Sequence, residues 1–313
     1  MGNSQLNAPA RIRDRTISRP RPRDLLRYWR EYLCIAPFFI LFAAFFAYPI
    51  GWSLVLSFQR WDGIGKPSWV GLDNYQFLLN DPLTVKVVSN TVILLFVLVP
   101  LGLLLPFALG VVLNLQFLKF RGTFRTILFL PVVTSLVVIG IVFRFIFGGE
   151  FGWLNSALSV VGLGPYPWTT EAGWAYIPII VLSLWGGLGY YTLIVLGGLQ
   201  SLDAEIFEAA RIDGANEVQI FFRITLPLMH PVMVFLLISA TISVMRLFSE
   251  PYALYQGGRG PDDNALTPAL QIYRTAFSAG KRYGDAAALS FLLSLVIIVV
   301  AIIQFRITRS REN

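Results

Sequence analysis

Long apolar stretches alternate with short polar segments along this chain. Six stretches contain no Asp, Glu, Lys or Arg, and they cover residues 32–59, 87–118, 126–143, 172–202, 224–245 and 286–305. A helix of roughly 20 apolar residues crosses the hydrocarbon core of a bilayer. The pattern therefore predicts six membrane-spanning helices, over 31–58, 87–116, 126–147, 174–200, 231–255 and 284–306.

A seventh charge-free stretch, 151–170, is interrupted by the Gly- and Pro-rich segment GLGPYP. Every backbone polar group of a segment inside lipid must be paired internally, and this segment cannot achieve that as a helix. We therefore predict a short interfacial helix over 153–161, within an outer loop over 148–171. The other predicted connections are outer loops over 59–86 and 256–283 and a cytoplasmic loop over 201–230.

The composition supports an all-α membrane protein. Hydrophobic residues make up 56% of the 313-residue chain and charged residues 14%, whereas soluble domains carry about 25% charged residues. This excludes a disordered chain, a coiled coil and a nucleic-acid module, and it argues against an ordinary soluble enzyme. With one Cys and one His, a disulfide framework and a thiolate or multi-His metal centre are excluded. We expect no metal, no cofactor and no catalytic residues.

The net charge of +7 is best interpreted from the positions of the basic residues, which indicate the membrane topology. Most of the 25 Lys and Arg residues lie in the N-terminal arm 1–30, the predicted cytoplasmic connections and the tail 307–313. Cytoplasmic loops of membrane proteins carry an excess of Lys and Arg. Both termini are therefore predicted to be cytoplasmic, with the arm lying on anionic lipid and no nucleic-acid partner.

The cytoplasmic loop 201–230 is the most informative polar segment. Asp203 is placed to cap a short helix, Gly214 to end it, and a second helix is expected with Val218, Phe221 and Phe222 on one side. A surface helix with small Ala residues and a projecting Glu208 carboxylate suits a groove in a soluble partner. An amphipathic linker on the lipid headgroups is the alternative interpretation.

The amino-acid sequence of this loop resembles the EAA loop of ABC importer permeases. Glu208-Ala209-Ala210, Gly214, Ile224 and Leu226-Pro227 meet every position of the pattern EAA-x3-G-x9-I-x-LP. The segment 212–215, IDGA, is similar to the carbohydrate branch of that family, the maltose-type permeases. The segments 70–75, VGLDNY, and 256–261, QGGRGP, resemble two further signatures of the branch, although Arg259 interrupts the usual GGP.

The resemblance implies a type I ABC importer permease fold, a five-helix core plus an N-terminal helix, in the bacterial inner membrane. It implies four kinds of partner: a second, paralogous permease, two cytoplasmic ATP-binding subunits, an extracellular solute-binding protein and a sugar or oligosaccharide carried by alternating access. The residues it assigns to ATPase coupling are Glu208, Ala209, Ala210, Asp213, Gly214, Leu226 and Pro227. The chain has no phosphate-binding GxxxxGK[ST] motif, so ATP hydrolysis is expected on a separate subunit.

Polar residues near the membrane midplane are the candidates for the solute path. In the fifth predicted span, Ser239, Ser243, Arg246 and Glu250 are spaced to share one face of a continuous helix. Arg246 is expected either to donate hydrogen bonds to the solute or to pair with Glu250 and hold helices together.

The fourth predicted span offers Ser183, Trp185, Tyr190 and Tyr191. Aromatic faces with a few polar groups suit the apolar and hydroxyl faces of sugars, and packing of the aromatic rings against other helices is the alternative. The resemblance implies solute contacts from the spans before and after the EAA loop. We therefore select Trp185 and Tyr190, together with the four residues of the fifth span.

Other functions stay open at this point. Within the importer class, the solute could be an anionic polyol such as a glycerol-phosphate compound, with Arg246 as its partner. A secondary transporter driven by an ion gradient usually carries intramembrane Asp or Glu, and here Glu250 alone comes near that position. A membrane-embedded enzyme would need a nucleophile and base or metal ligands inside the membrane, and none is visible in the sequence.

Overall fold

A computed structural model describes residues 28–115, 120–278 and 281–309. The basic arm predicted over 1–30 lies outside the described residues except for its last three, as do residues 310–313 of the predicted tail. The regular secondary structure of the described residues is helical apart from one short antiparallel pair, β1 (Gln59–Arg60) and β2 (Ser68–Trp69).

The α-helices are α1 (Trp29–Phe42), α2 (Tyr48–Ser57), α3 (Asp73–Asn80), α4 (Pro82–Asn114), α5 (Arg121–Val133), α6 (Leu136–Ile146), α7 (Trp153–Ser159), α8 (Tyr176–Gln200), α9 (Ala204–Ile212), α10 (Glu217–Ile220), α11 (Leu226–Leu228), α12 (His230–Met245), α13 (Ser249–Leu254), α14 (Pro268–Phe277) and α15 (Tyr283–Arg309). Two π-helical turns, Ala43–Ala47 and Phe221–Thr225, and a 3-10 turn, Pro261–Asp263, complete the helical segments. The short helix expected over 153–161 corresponds to α7.

Among the described residues, four helical segments are long and apolar enough to cross a membrane: Trp29–Ser57, Pro82–Asn114, Tyr176–Gln200 and Tyr283–Thr308. Two bent helix pairs raise the number to six if each pair is one span. The first pair occupies the third predicted span, whereas the second pair joins the end of the predicted cytoplasmic loop to the first part of the fifth predicted span. The chain is therefore an all-helical, multi-pass membrane protein.

The N-terminal compact unit, which ends at Trp52, exposes its large apolar side chains along α1 and the first π-helical turn. Phe38, Phe42 and Phe46 stack at intervals of four residues, with ring centroids 6.3 and 5.8 Å apart. Their exposed fractions of 48–67% are those expected of a helix that faces lipid.

The third predicted span is not one continuous helix. It divides between α5 and α6, where Thr134 adopts an extended conformation. Pro131 removes one backbone donor just before the break, and the hydroxyl of Thr134 donates to the carbonyl of Leu130 over 2.8 Å. Both features favour a helix end at this point.

The fifth predicted span is also broken, so the expectation of one helix over 231–255 is wrong. α12 ends at Met245, and α13 starts at Ser249. Pro251 cannot donate to the carbonyl of Leu247 four residues earlier, and its ring would clash with that carbonyl in a continuous helix. The carbonyl turns away instead and accepts a hydrogen bond from the buried hydroxyl of Thr267 over 2.5 Å.

The core of the second compact unit, Ser53–Asn313, lies where α4 packs along α8 and α12. Leu94, Ile179 and Leu182 are fully buried in one apolar cluster. A second cluster near the EAA loop contains Phe107 and Met229. These clusters fix the helices that carry the candidate solute residues.

Glycine allows close helix contacts in this core. A Cβ atom at Gly189 of α8 would collide with the carbonyl oxygen of Leu128 in α5, and one at Gly110 of α4 would lie 2.6 Å from Val195. Small residues at such positions let membrane helices approach closely.

A buried amide joins the turn after α13 to the core helices. Asn90 of α4 donates to the carbonyls of Asp263 and Leu266 over 2.7 and 2.9 Å and accepts from the hydroxyl of Tyr176 over 2.8 Å. Arg259 donates to the Asp263 carboxylate, with Nη2 2.7 Å from Oδ2. This guanidinium holds the pKa of Asp263 below its usual value. Arg259, the residue that interrupts the expected GGP sequence, therefore stabilises the turn over 259–263 through this ion pair.

Candidate functional site

A cavity of about 490 Å³ opens at the break between α12 and α13, and we call it the helix-break cavity. It also borders α4 and α8. Of the six predicted solute residues, Tyr190, Ser243, Arg246 and Glu250 line it. Trp185 and Ser239 do not.

The helix break determines where Arg246 lies. Its backbone N–H donates to the carbonyls of Ile242 and Ser243 over 3.1 and 3.2 Å, so Arg246 caps α12 rather than continuing it. Its side chain is exposed. Because Glu250 belongs to the next helix, the one-face spacing expected from a continuous helix does not apply. No ion pair joins Arg246 to Glu250 among the described residues, so both groups border the cavity separately.

Tyrosines of α8 form an aromatic wall of the cavity. The rings of Tyr190 and Tyr191 lie 5.5 Å apart, and the Tyr191 hydroxyl donates to Ser243 Oγ over 3.3 Å. The wall therefore presents aromatic surface beside hydroxyl groups.

Three further polar residues line the cavity that the selection from sequence left out: Ser183, Tyr191 and Ser249. Ser183 Oγ is buried without a hydrogen-bond partner. A buried hydroxyl normally has a partner, so this one is available to a bound solute. Ser249 belongs to α13, and Pro251 is the sequence signal that could have placed it beside the cavity by predicting the break.

Trp185 and Ser239 have other surroundings. The indole of Trp185 packs against Phe143 of α6, with ring centroids 5.7 Å apart, and remains 37% exposed. Ser239 is half-buried in α12. For Trp185, the packing alternative describes the observed contact.

The loop between α8 and α12 contains the EAA segment. Asp203 Oδ1 accepts from the N–H of Glu205 over 3.0 Å and caps α9. Gly214 has φ +83°, a conformation that favours glycine, and the following N–H of Ala215 donates to the carbonyl of Ala210 over 3.0 Å. The predicted cap at Asp203 and the predicted helix end at Gly214 are both present.

The second half of this loop begins with a capped helix, α10, which is joined to α9 by an ion pair. Asn216 and Gln219 form reciprocal side-chain caps at the start of α10, each bond 2.9 Å long. Arg211 of α9 forms an exposed 3.0 Å ion pair with Glu217 of α10. The ion pair therefore bridges the turn at Gly214 and joins the two helices.

Three residues anchor the loop to the helix bundle. Ile220 and Met229 are almost completely buried, and the ring of Phe221 lies 6.0 Å from that of Phe107. Val218 and Phe222 are 66% and 60% exposed, whereas Phe221 packs inward, so the expectation that all three share one side is wrong for Phe221. The buried face is centred on Ile220, and a residue two positions away lies about 200° around a helix.

The candidate coupling residues reach the surface of this loop. Glu208, Ala209, Asp213, Gly214, Leu226 and Pro227 are exposed, and Ala210 is half-buried. Ile212 beside them is 86% exposed. Glu208 also lines a cavity of about 550 Å³ between the loop and the ends of α4 and α8.

Comparison with known proteins gives a consistent family assignment. Residues 102–312 match the model of the family "Binding-protein-dependent transport system inner membrane component". The chain is 36% identical to the lactose transport system permease protein LacF of Rhizobium radiobacter, over 92% of this chain and 98% of that protein. It is 38% identical to the arabinooligosaccharides transport system permease protein AraP of Bacillus subtilis (strain 168), over 89% of this chain and 88% of that protein.

The fold is similar to that of a chain in a bacterial ABC transporter involved in the import of the acidic polysaccharide alginate. The TM-score is 0.81 at 25% identity, covering 92% of this chain and 98% of that one. A structure of the alginate transporter in complex with an alginate pentasaccharide-bound periplasmic protein gives a TM-score of 0.80, again at 25% identity, over 92% of this chain and 96% of that one. The chain therefore belongs to the binding-protein-dependent inner membrane components and is a multi-pass permease subunit of a bacterial ABC importer.

Proposed function

We propose that this permease carries a neutral sugar or short oligosaccharide through the membrane by alternating access. The observation that carries the proposal is the helix-break cavity, where a tyrosine wall meets hydroxyl, guanidinium and carboxyl groups. The relatives named for lactose and arabinooligosaccharide transport support it.

The chemistry of the cavity suits a saccharide. Tyr190 and Tyr191 offer aromatic surface to the apolar C–H face of a sugar ring. Ser183 and Ser243 offer hydroxyl groups that donate or accept, and Arg246 offers donors arranged in a fixed fork. This combination can bind a ring and its hydroxyls together.

The charge of the cavity favours a neutral solute over an anionic one. Arg246 brings one positive charge, but Glu250 borders the same space with a carboxyl group. A phosphate would meet attraction from one and repulsion from the other. A glycerol-phosphate compound is therefore the second candidate.

The partners proposed here follow from the loop and from the family. α9 presents Glu208 and Ala209 on an exposed surface, which suits a cleft in a cytoplasmic ATP-binding subunit. We propose two such subunits, a second, paralogous permease and an extracellular solute-binding protein, with both termini of this chain cytoplasmic. Six spans are proposed, with the third formed by α5 and α6 and the fifth by α12 and α13, each with its break.

The proposed coupling runs from the loop to the cavity through packed side chains. Ile220, Phe221 and Met229 hold the loop to the bundle, and α12 connects Met229 to Ser243 and Arg246 at its far end. A displacement of α9 by the ATP-binding subunits would therefore be transmitted to one wall of the cavity.

Uptake by the reconstituted importer tests the solute class. The chain, its partner permease, the ATP-binding subunits and the binding protein are assembled in liposomes and supplied with lactose, arabinotriose or glycerol 3-phosphate. We expect uptake of a saccharide, and loss of solute-stimulated ATP hydrolysis in Arg246→Ala but not in Arg306→Ala, an exposed arginine of α15. Uptake of glycerol 3-phosphate alone would overturn the proposal.

The coupling role has its own test in the same liposomes. The double variant Glu208→Lys with Gly214→Asp should insert normally and stop uptake. Glu205→Lys, on the same helix but outside the motif, is the matched control and should retain transport. Full transport by the double variant would contradict the coupling role.

A further inference from the structure

A second cavity of about 490 Å³ is lined by residues of the segments 60–77 and 282–285, and we call it the loop cavity. Its lining comes from the segment that follows α2, from α3 and from the start of α15. None of the candidate solute or coupling residues lines it. In the proposed topology it lies on the outer side, where a binding protein releases its solute.

The loop cavity has a well-defined frame. The amide of Asn74 donates to the carbonyls of Ser57 and Gln59, both over 2.9 Å, and the N–H of Tyr283 donates to the carbonyl of Trp61 over 3.0 Å. A Cβ at Gly284 would collide with the carbonyl of Gln59. The start of α15 is therefore packed directly against the segment that carries the lining residues.

Two aromatic side chains, Trp61 and Phe77, contribute to the apolar lining beside Ile64. The Arg282 guanidinium covers one face of Phe77, 4.4 Å from its centroid. The indole of Trp61 lies 5.4 Å from the ring of Tyr283 and donates from Nε1 to the carbonyl of Gly65 over 3.1 Å. Such surfaces stack well on the C–H face of a sugar.

The charged lining is balanced. The cations are Arg60, Lys66 and Arg282, and the carboxylates are Asp62, Asp73 and Asp285. Arg282 pairs with Asp285, whereas the side chains of Lys66 and Asp73 form no hydrogen bond or ion pair with other described residues. Balanced donors and acceptors suit the hydroxyls of a neutral ligand, and they offer a phosphate no net attraction.

A series of aromatic rings connects the two cavities. Phe248, which lines the helix-break cavity, lies 5.3 Å from Tyr273, and Tyr273 lies 5.3 Å from Phe277. The series continues to Tyr283 over 6.2 Å and to Trp61 of the loop cavity over 5.4 Å. Aromatic surface is thus nearly continuous between the two sites.

From these observations we infer that the loop cavity is a second saccharide-binding site, which holds a neutral sugar before it enters the helix-break cavity. The inference rests on the proposed function, since it assumes that the importer carries saccharides. It assigns Trp61 and Phe77 to stacking and Asp73 and Lys66 to hydroxyl binding.

Ligand-observed saturation-transfer NMR on the assembled importer in lipid nanodiscs, without binding protein, tests the assignment. The probes are lactose and arabinotriose, with glycerol 3-phosphate as the anionic comparison. The background variant Tyr190→Ala with Arg246→Ala is chosen to weaken saccharide binding in the helix-break cavity. We expect saccharide signal to persist in this background and to weaken about tenfold when Trp61→Ala or Asp73→Asn is added.

Trp153→Ala is the matched control, because Trp153 is 67% exposed and lines neither cavity. Asp73→Asn preserves shape, so it keeps the test valid if Trp61→Ala fails to assemble. A saccharide signal unchanged by both substitutions, or a preference for glycerol 3-phosphate, would overturn the second site while uptake of sugar still upheld the proposed function. Absence of both uptake and binding of any saccharide would overturn the two together.

Discussion

The substitution Thr267→Val probes the break between α12 and α13. Thr267 is fully buried, and its hydroxyl is the donor to the Leu247 carbonyl. Valine has nearly the same shape but no donor, and Pro251 has no N–H to replace it. A buried acceptor left unpaired costs about 1–3 kcal/mol. We expect the free energy of unfolding to fall by that amount.

The matched control is Thr192→Val in α8. Thr192 is 1% exposed, and its hydroxyl donates to the carbonyl of Leu188 over 2.6 Å. Since this carbonyl lies inside a helix, it retains its backbone donor after the substitution. The loss in Thr192→Val should therefore be at most about 0.5 kcal/mol.

A double-mutant cycle sharpens the prediction. Pro251→Ala supplies an N–H that can reach the Leu247 carbonyl four residues earlier, so Thr267→Val should cost less in that background. A coupling of about 1 kcal/mol is expected. Denaturant titration of the purified chain in mixed micelles measures all four states. Equal losses in Thr267→Val and Thr192→Val, or additivity within the cycle, would refute the explanation of the break.

Three further outcomes can be measured, with stability followed on the purified chain and uptake on the reconstituted importer. Asn90→Leu should lower the free energy of unfolding by about 2–3 kcal/mol, because it leaves buried carbonyl groups without their donor; denaturant titration checks this. Gly214→Ala strains a residue at φ +83° and should reduce uptake and stability together, by about 1 kcal/mol in the latter. Arg259→Leu should destabilise at neutral pH, and the difference from wild type should shrink as the pH falls through the depressed pKa of Asp263; thermal unfolding across pH shows whether it does.

The sequence was sufficient to predict a multi-pass helical membrane protein, because an apolar stretch of about 20 residues matches the bilayer thickness only as a spanning helix. The caps of the EAA loop were also predictable, since Asp203 and Gly214 act through local backbone geometry. Both features depend on residues that are close in the chain.

The helix breaks were less accessible because their causes lie partly elsewhere in the chain. Pro251 alone is compatible with a kinked helix, and the donor that completes the break, Thr267, follows 16 residues later. For the same reason the one-face spacing of Ser239 with Arg246 and Glu250 failed. Trp185 illustrates a second limit: its partner Phe143 belongs to another helix, so its packing could not be read from α8 alone.

The bend at Met229 gives α12 the geometry of a lever. The segments Glu217–Leu228 and His230–Met245 meet at 61°, and Met229 is completely buried at the junction. Since α12 has 16 residues, its far end lies about 24 Å away. A tilt of about 10° around this junction would move the Arg246 end by about 4 Å. In the topology proposed above, a small displacement at the loop end of α12 would therefore change the width of the helix-break cavity by roughly the thickness of a pyranose ring.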